Sequence, residues 1–307
     1  MLRRTFLQGA GAALLSGYTT KILSAAESNS SVINWSNGIK PLYCQAFIDP
    51  ANKVHRGQEL AISKYPIALI PQDNRVQFGQ FRTKLRRLNP LQTVLAYHAT
   101  LDENGVPGPA HDLVRKLKNS WITLPGGIVP TIDLKSGNVL KRRIYDPRDA
   151  AFRKTFIDAC GLLIDKYKFD GIFLDNCTIY PIFANIPYLG DELKQGLQEL
   201  IHEVRLAFPK TILIGNSSYT WSYLNGEMNE GRPKDLPKEA LDISGHTDPK
   251  INMFHYYMKD QSDLIHAENN FRFAIENHCF YGTGINAQTI RWYPFFDKVL
   301  SEYKIVL

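Results

Sequence analysis

From residue 38 onward the chain alternates short apolar runs with longer segments whose apolar residues recur every third or fourth position. The runs Leu42–Ile48, Ile67–Pro71, Thr93–His98, Gly171–Asp175, Ile212–Asn216, Ser222–Glu227, Ile251–Tyr257 and Cys279–Gly282 read as strands. Between them, Asp149–Lys168 places Phe152, Phe156, Cys160, Leu163 and Tyr167 on one helical face. A second helix, Asp191–Phe208, repeats Leu193, Leu197, Leu200, Ile201 and Val204 and is stopped by Pro209. Strand and helix in alternation predict a parallel sheet with crossover helices, and eight strands fit closure into an α/β fold, a single (β/α)8 TIM barrel. Ser222–Glu227 is the weakest of the eight runs. The Gly- and Pro-rich segment Leu101–Asp146 predicts loops and a short helix around Leu113–Leu117 over the barrel mouth. With no internal repeat beyond this rhythm and no interdomain linker, residues 38–307 read as one barrel domain.

The first 37 residues break the pattern. Arg3-Arg4-Thr5-Phe6-Leu7 precedes an apolar run, Phe6–Leu15, that is too short to span a bilayer, and small residues follow at Ser24, Ala25 and Ala26. Residues 1–26 therefore read as a twin-arginine-type signal peptide and 27–37 as a polar leader, which predicts a periplasmic or secreted protein. No later stretch approaches the roughly 18 apolar residues of a membrane span, so no stable membrane insertion is expected after signal removal. The leader changes the charge as well: without Arg3, Arg4 and Lys21 the formal +6 becomes +3, too little to imply a nucleic-acid partner. The short basic clusters Arg82–Arg87 and Lys141–Arg143 read as solvated faces. With 44% hydrophobic and 21% charged residues, the composition is that of an ordinary globular chain. Cys44, Cys160, Cys177 and Cys279 lack zinc-ligand spacing and sit in apolar contexts, as buried free thiols do.

Barrel chemistry sits at the carboxyl ends of strands, so apolar runs that end in polar residues mark candidates. The sharpest is Phe169-Asp170-Gly171-Ile172-Phe173-Leu174-Asp175-Asn176. Asp170 lies at the foot of that strand, where a turn role suffices. Asp175 lies at its top, where a carboxylate can serve as nucleophile, base or oxocarbenium stabiliser. Cleavage of a glycosidic bond needs a second, protonated carboxyl group. Glu227 in Ser222-Tyr223-Leu224-Asn225-Gly226-Glu227 is the candidate, with Glu230 in reserve. Asp49, Asp73, His98, Asn176 and Asn216 stand at other polar strand ends, able to bind sugar hydroxyls. Trp221, Trp292, Tyr97, Tyr256 and Tyr257 can stack on sugar faces or fill the core. His246 and Asp248 invite a metal reading, but no HExxH-like spacing supports it.

Several of these segments also carry a family likeness: Asp146-Pro147 ahead of a helix, the strand ending in Asp175-Asn176, Asn225-Gly226-Glu227, and the closing Trp292-Tyr293-Pro294-Phe295-Phe296-Asp297-Lys298-Val299-Leu300. Together they resemble the glycoside-hydrolase-like barrels related to endo-α-1,4-polygalactosaminidase-type families, over roughly Gly38 to the carboxyl terminus. The resemblance implies a TIM barrel, a strand-four Asp matched by Asp175 and an acidic partner on strand six matched by Glu227. The expectation is an exported glycoside hydrolase acting on a polysaccharide or oligosaccharide, without cofactor. Its rivals are a catalytically silent carbohydrate-binding barrel and a metal-assisted hydrolase using His246 and Asp248.

Overall fold

The computed structural model describes residues 39–46, 58–71, 78–103, 108–124, 126–128, 132–133, 141–179, 186, 188–216, 221–231, 233, 236, 241–242, 244–285 and 291–305. Residues 1–37, Asp49 and Asp73 lie outside them. Eight parallel strands run in sequential order: β1 Tyr43–Gln45, β2 Ile67–Ile70, β3 Thr93–Ala99, β4 Gly171–Asp175, β5 Ile212–Gly215, β6 Gly226–Glu230, β7 Asn252–Met258 and β8 Cys279–Ile285. A parallel bridge between Leu42 and Tyr281 brings the two ends together, with the Tyr281 amide donating to Pro41 O at 2.9 Å. The sheet thus curls into a (β/α)8 barrel with its first strand beside its last.

Around it lie α1 Gln58–Ile62, α2 Phe78–Leu88, α3 Pro109–Val114, α4 Ala150–Gly161, α5 Leu189–Ala207, α6 Leu264–Glu276 and α7 Pro294–Glu302. The α4 helix begins at Asp149, whose side chain caps the Ala151 amide, and continues as a π-helical turn over Leu162–Lys166. On α5 the stripe Leu193, Leu197, Leu200, Ile201 and Val204 is buried. Each such side chain contributes about 1.5–3 kcal/mol relative to exposure, so the stripe fixes which face meets the sheet. The short helix of the long loop begins earlier than its apolar residues indicate, at Pro109, and the same segment holds an antiparallel ladder pairing Ile132–Asp133 with Lys141–Arg142. All four cysteines are buried and free.

The largest departure from the sequence pattern is β6, which runs from Gly226 to Glu230 rather than from Ser222 to Glu227. Residues 221–224 form a turn closed by the Leu224 amide on Trp221 O, at 3.0 Å. Asn225 is the joint that starts the strand. Its Oδ1 accepts from the Leu213 amide (2.8 Å) and from Arg205 (2.7 Å), while its Nδ2 donates to Thr247 O and Pro249 O, both at 3.2 Å. Gly226 must be glycine, because a Cβ there would lie 1.7 Å from Ile251 O. The Asn-Gly dipeptide therefore reports close packing of β5, β6 and β7.

Register decides which side chains face the barrel axis. Tyr97 pairs with Phe173, Ala99 with Asp175, Phe173 with Ile214, Ile214 with Gly226, Glu230 with His255 and His255 with Gly282. Partners in register share a face, and the face alternates along each strand. The Tyr43 hydroxyl reaches Met228 Sδ across the interior at 3.0 Å, so this set is the inner one. Leu174, Glu227 and Tyr256 then face the helix layer, as does His98, which stacks on Phe156 of α4 at 4.9 Å between ring centroids.

Candidate active site

At the carboxyl ends of β3 to β7, the innermost polar side chains form a continuous hydrogen-bonded chain. The Tyr97 hydroxyl donates to Asp175 Oδ2, which also accepts from Asn176 Nδ2 at 3.1 Å. Asn216, one residue past β5, donates through Nδ2 both to Asp175 Oδ1 (3.0 Å) and to Glu230 Oε1 (3.2 Å). Tyr257 completes the chain by donating its hydroxyl to the same Glu230 oxygen at 3.0 Å. Asn176 occupies the left-handed region at φ 51°, which Asn tolerates better than most residues. The turn carries Cys177 N to within 2.9 Å of Asn216 O and so ties the end of β4 to the end of β5.

Electrostatics sets Glu230 apart. Glu230 keeps an exposed face at the mouth yet is crowded by protein atoms. That partial burial raises its carboxyl above the ordinary range. The Tyr257 hydrogen bond opposes the shift, the Asp175 charge adds to it, and the Asn216 bond opposes it again. The Tyr257 phenol is raised as well, by burial and then by the charges of Glu230 and Asp175.

The remaining candidates fall elsewhere. Glu227 is more buried than Asp175 but faces outward, where it meets His246 Nε2 at 3.6 Å and the Trp221 amide at 3.4 Å. Trp221 is buried beside it, on the outer side of β6. His98 is a core residue whose imidazole is held down at about 3 by burial and by His111. Tyr256 is buried on the outer side of β7, and its neighbour Tyr257 takes the inner place. Trp292 packs on Tyr65 at 5.5 Å and under Lys40 at 4.9 Å. Both of those residues precede their strands, so Trp292 packs against the chain leading into β1 and β2 and makes none of the contacts of the Asp175 network. His246 and Asp248 flank the joint at Asn225, and among the described residues no group of three or more His, Cys, Asp or Glu side chains is placed to hold a metal ion.

The structure thus brings Asp175, Asn176 and Asn216 together with Glu230, Tyr97 and Tyr257. Counting the inner face of β6 from Gly226 yields Met228 and Glu230, so the Asn-Gly joint is the sequence signal that points to Glu230.

No family model and no curated protein matches the chain. Solved structures do. The glycoside hydrolase domain of PelA from Pseudomonas aeruginosa superposes with a TM-score of 0.54 at 12% identity, covering 80% of this chain and 94% of that one. Aspergillus fumigatus Ega3 in complex with galactosamine gives 0.53 at 12% identity, covering 85% and 98%. The α-galactosidase from Lactobacillus brevis gives 0.53 at 9% identity, covering 87% of this chain and 40% of that one. The chain is therefore similar in fold to glycoside-hydrolase TIM barrels.

Proposed function

We propose that the protein is an exported glycoside hydrolase that cleaves a polysaccharide outside the cytoplasm, with Asp175 as nucleophile and Glu230 as general acid and base. The observation that carries this reading is the amide of Asn216, which holds both carboxylates at once. A shared donor keeps the two nearest oxygens no farther apart than the sum of its two bonds, 3.0 and 3.2 Å. That bound is compatible with the roughly 5–5.5 Å between the carboxyl groups of a retaining pair. Asp175, held by three donors, is oriented to attack the anomeric carbon. Glu230, its acidity weakened, is suited to protonate the leaving oxygen and then to deprotonate the incoming water. Neither step calls for a cofactor. The purified mature protein, tested against bacterial exopolysaccharides with reducing-end detection, is expected to release oligosaccharides. Saturable binding without release would instead mark a carbohydrate-binding barrel.

Export rests on the leader. Lysine keeps the charge of Arg3 and Arg4 but not the planar fork a receptor reads, so the Arg3→Lys, Arg4→Lys double variant is expected to stay in the cytoplasm. Cell fractionation with immunoblotting checks this, and normal export of the double variant would remove the twin-arginine reading.

A further inference from the structure

Beneath the mouth lies a polar group that the proposed chemistry does not use. His255 faces the barrel axis on β7, in register with Glu230 on one side and Gly282 on the other. It is 0% exposed, and burial pushes its imidazole down to about 3, which favours the neutral ring. Its Nδ1 lies 2.8 Å from the hydroxyl of Tyr43 on β1, across the barrel. Tyr43 is also fully buried, and its hydroxyl contacts Met228 Sδ at 3.0 Å, a sulfur that Gln45 Nε2 approaches at 3.3 Å. The fit is close: a Cβ on Gly282 would lie 2.6 Å from Tyr43 Cζ and 3.0 Å from His255 Nδ1.

On top of His255 rests Tyr257, the next inward residue of β7. Their ring centroids are 4.3 Å apart with the planes inclined at 55°, and Tyr257 is the phenol that donates to Glu230. An aliphatic residue would fill the same volume without desolvating an imidazole. What an imidazole adds is a fixed ring plane, because its bond to Tyr43 removes rotation about the side chain. A tyrosine supported by a rigid ring keeps its hydroxyl in one place, and the carboxyl bound to that hydroxyl keeps its own.

We propose that His255, anchored by Tyr43, is a positioning residue that holds Tyr257 and, through it, the Glu230 carboxyl in its working orientation. This rests on the reading of Glu230 as the acid. Because the imidazole is neutral, it supports Tyr257 without placing beside Glu230 a positive charge that would strip the acid of its proton.

The test uses the mature protein with His255→Leu, which removes ring and anchor at similar volume, and Tyr43→Phe, which removes only the anchoring hydroxyl and keeps the proposal testable where the first variant fails to fold. On a cleavable glycan, kcat is expected to fall by about 10- to 100-fold in His255→Leu, as a displacement of about 1 Å allows, with KM unchanged. Adding Tyr257→Phe to His255→Leu should cause little further loss, since both act through one contact. A second readout needs no turnover: in protein carrying 13C-labelled tyrosine, the Tyr257 Cζ resonance should follow Glu230 ionisation in the parent and lose that response in both variants. Full kcat in His255→Leu, additive losses with Tyr257→Phe, or an unchanged Tyr257 response would each overturn the proposal. A parent that cleaves no glycan but shows the coupled Tyr257 response would instead refute the hydrolase reading and leave the positioning role standing.

Discussion

Glu230→Gln is expected to lower turnover of an unactivated glycan by about 10²–10⁴-fold, the usual contribution of a general acid. Gln keeps the hydrogen bonds from Asn216 and Tyr257 but has no proton to give. An aryl glycoside with a good leaving group does not need that proton, so its first step should survive the substitution, and comparing the two substrates isolates the acid. Asp175→Asn removes the attacking oxygen charge, so loss of at least the same size is expected for both substrates, while binding of the sugar, read by calorimetry, persists. Glu227→Gln is the control that separates the two glutamates. Facing the helix layer beside His246, Glu227 should influence thermal unfolding rather than leaving-group dependence. If Glu227→Gln alone reproduced the acid phenotype, the assignment of Glu230 would fall.

The pH profile follows from the same pair. Glu230 works protonated in the first step, so kcat/KM should decline as pH rises through its carboxyl pKa, which burial places above the usual glutamate range. In Glu230→Gln that alkaline limb should vanish. Product examined by NMR immediately after cleavage should carry the anomeric configuration of the substrate, as a double displacement requires; inverted product would overturn the assignment of Asp175 as nucleophile.

How much of this is legible in the sequence depends on how each strand meets its surroundings. Gly171–Asp175 and Cys279–Gly282 are apolar on both faces and end or begin abruptly, so their positions emerge from composition alone. For β6 no such run exists: its outer face presents Glu227 to His246 and its inner face presents Met228 to Tyr43, so four of its five residues escape a search for apolar stretches. The same cause hides the phase of alternation. In a strand buried on both sides, hydrophobicity cannot distinguish inward from outward residues, so His98 and Tyr97, and Tyr256 and Tyr257, all read as candidates, although Tyr97 and Tyr257 hold the inner places. Asp175 alone fixes the phase of β4, and register then carries it to every neighbour, information that exists only once the strands are paired. Trp292 is a different case: its place depends on how the chain after β8 packs against Lys40 and Tyr65, far away in sequence, and no local pattern encodes that contact.

Arg205→Met is expected to be among the most destabilising single substitutions in the barrel, by about 3–6 kcal/mol. Arg205 projects from α5 into the joint between β5 and β6 and is 9% exposed. Its Nε donates to Tyr223 O at 2.8 Å, one terminal nitrogen to Thr211 O at 2.8 Å and Pro209 O at 3.2 Å, and the other to Asn225 Oδ1 at 2.7 Å. None of these partners is a carboxylate. Desolvation accordingly lowers its pKa to about 10, yet the guanidinium stays charged at neutral pH and its stabilisation comes from carbonyl dipoles, including those at the end of α5. Methionine fills the aliphatic volume but strands several buried acceptors, each costing about 1–3 kcal/mol when left unpaired. At about 2–4 °C per kcal/mol, the melting temperature should fall by roughly 6–24 °C. Arg205→Lys should recover little, because one ammonium cannot span the turn at Tyr223, the loop at Thr211 and the joint at Asn225 together. The same joint sets the start of β6 and the partner strand β5, which Asn216 directly follows, so the surviving folded protein should also lose kcat at temperatures well below its melting point. A lysine variant with parental melting temperature and parental kcat would show that charge alone, and not the fork that links three segments, holds the strand carrying Glu230 in place.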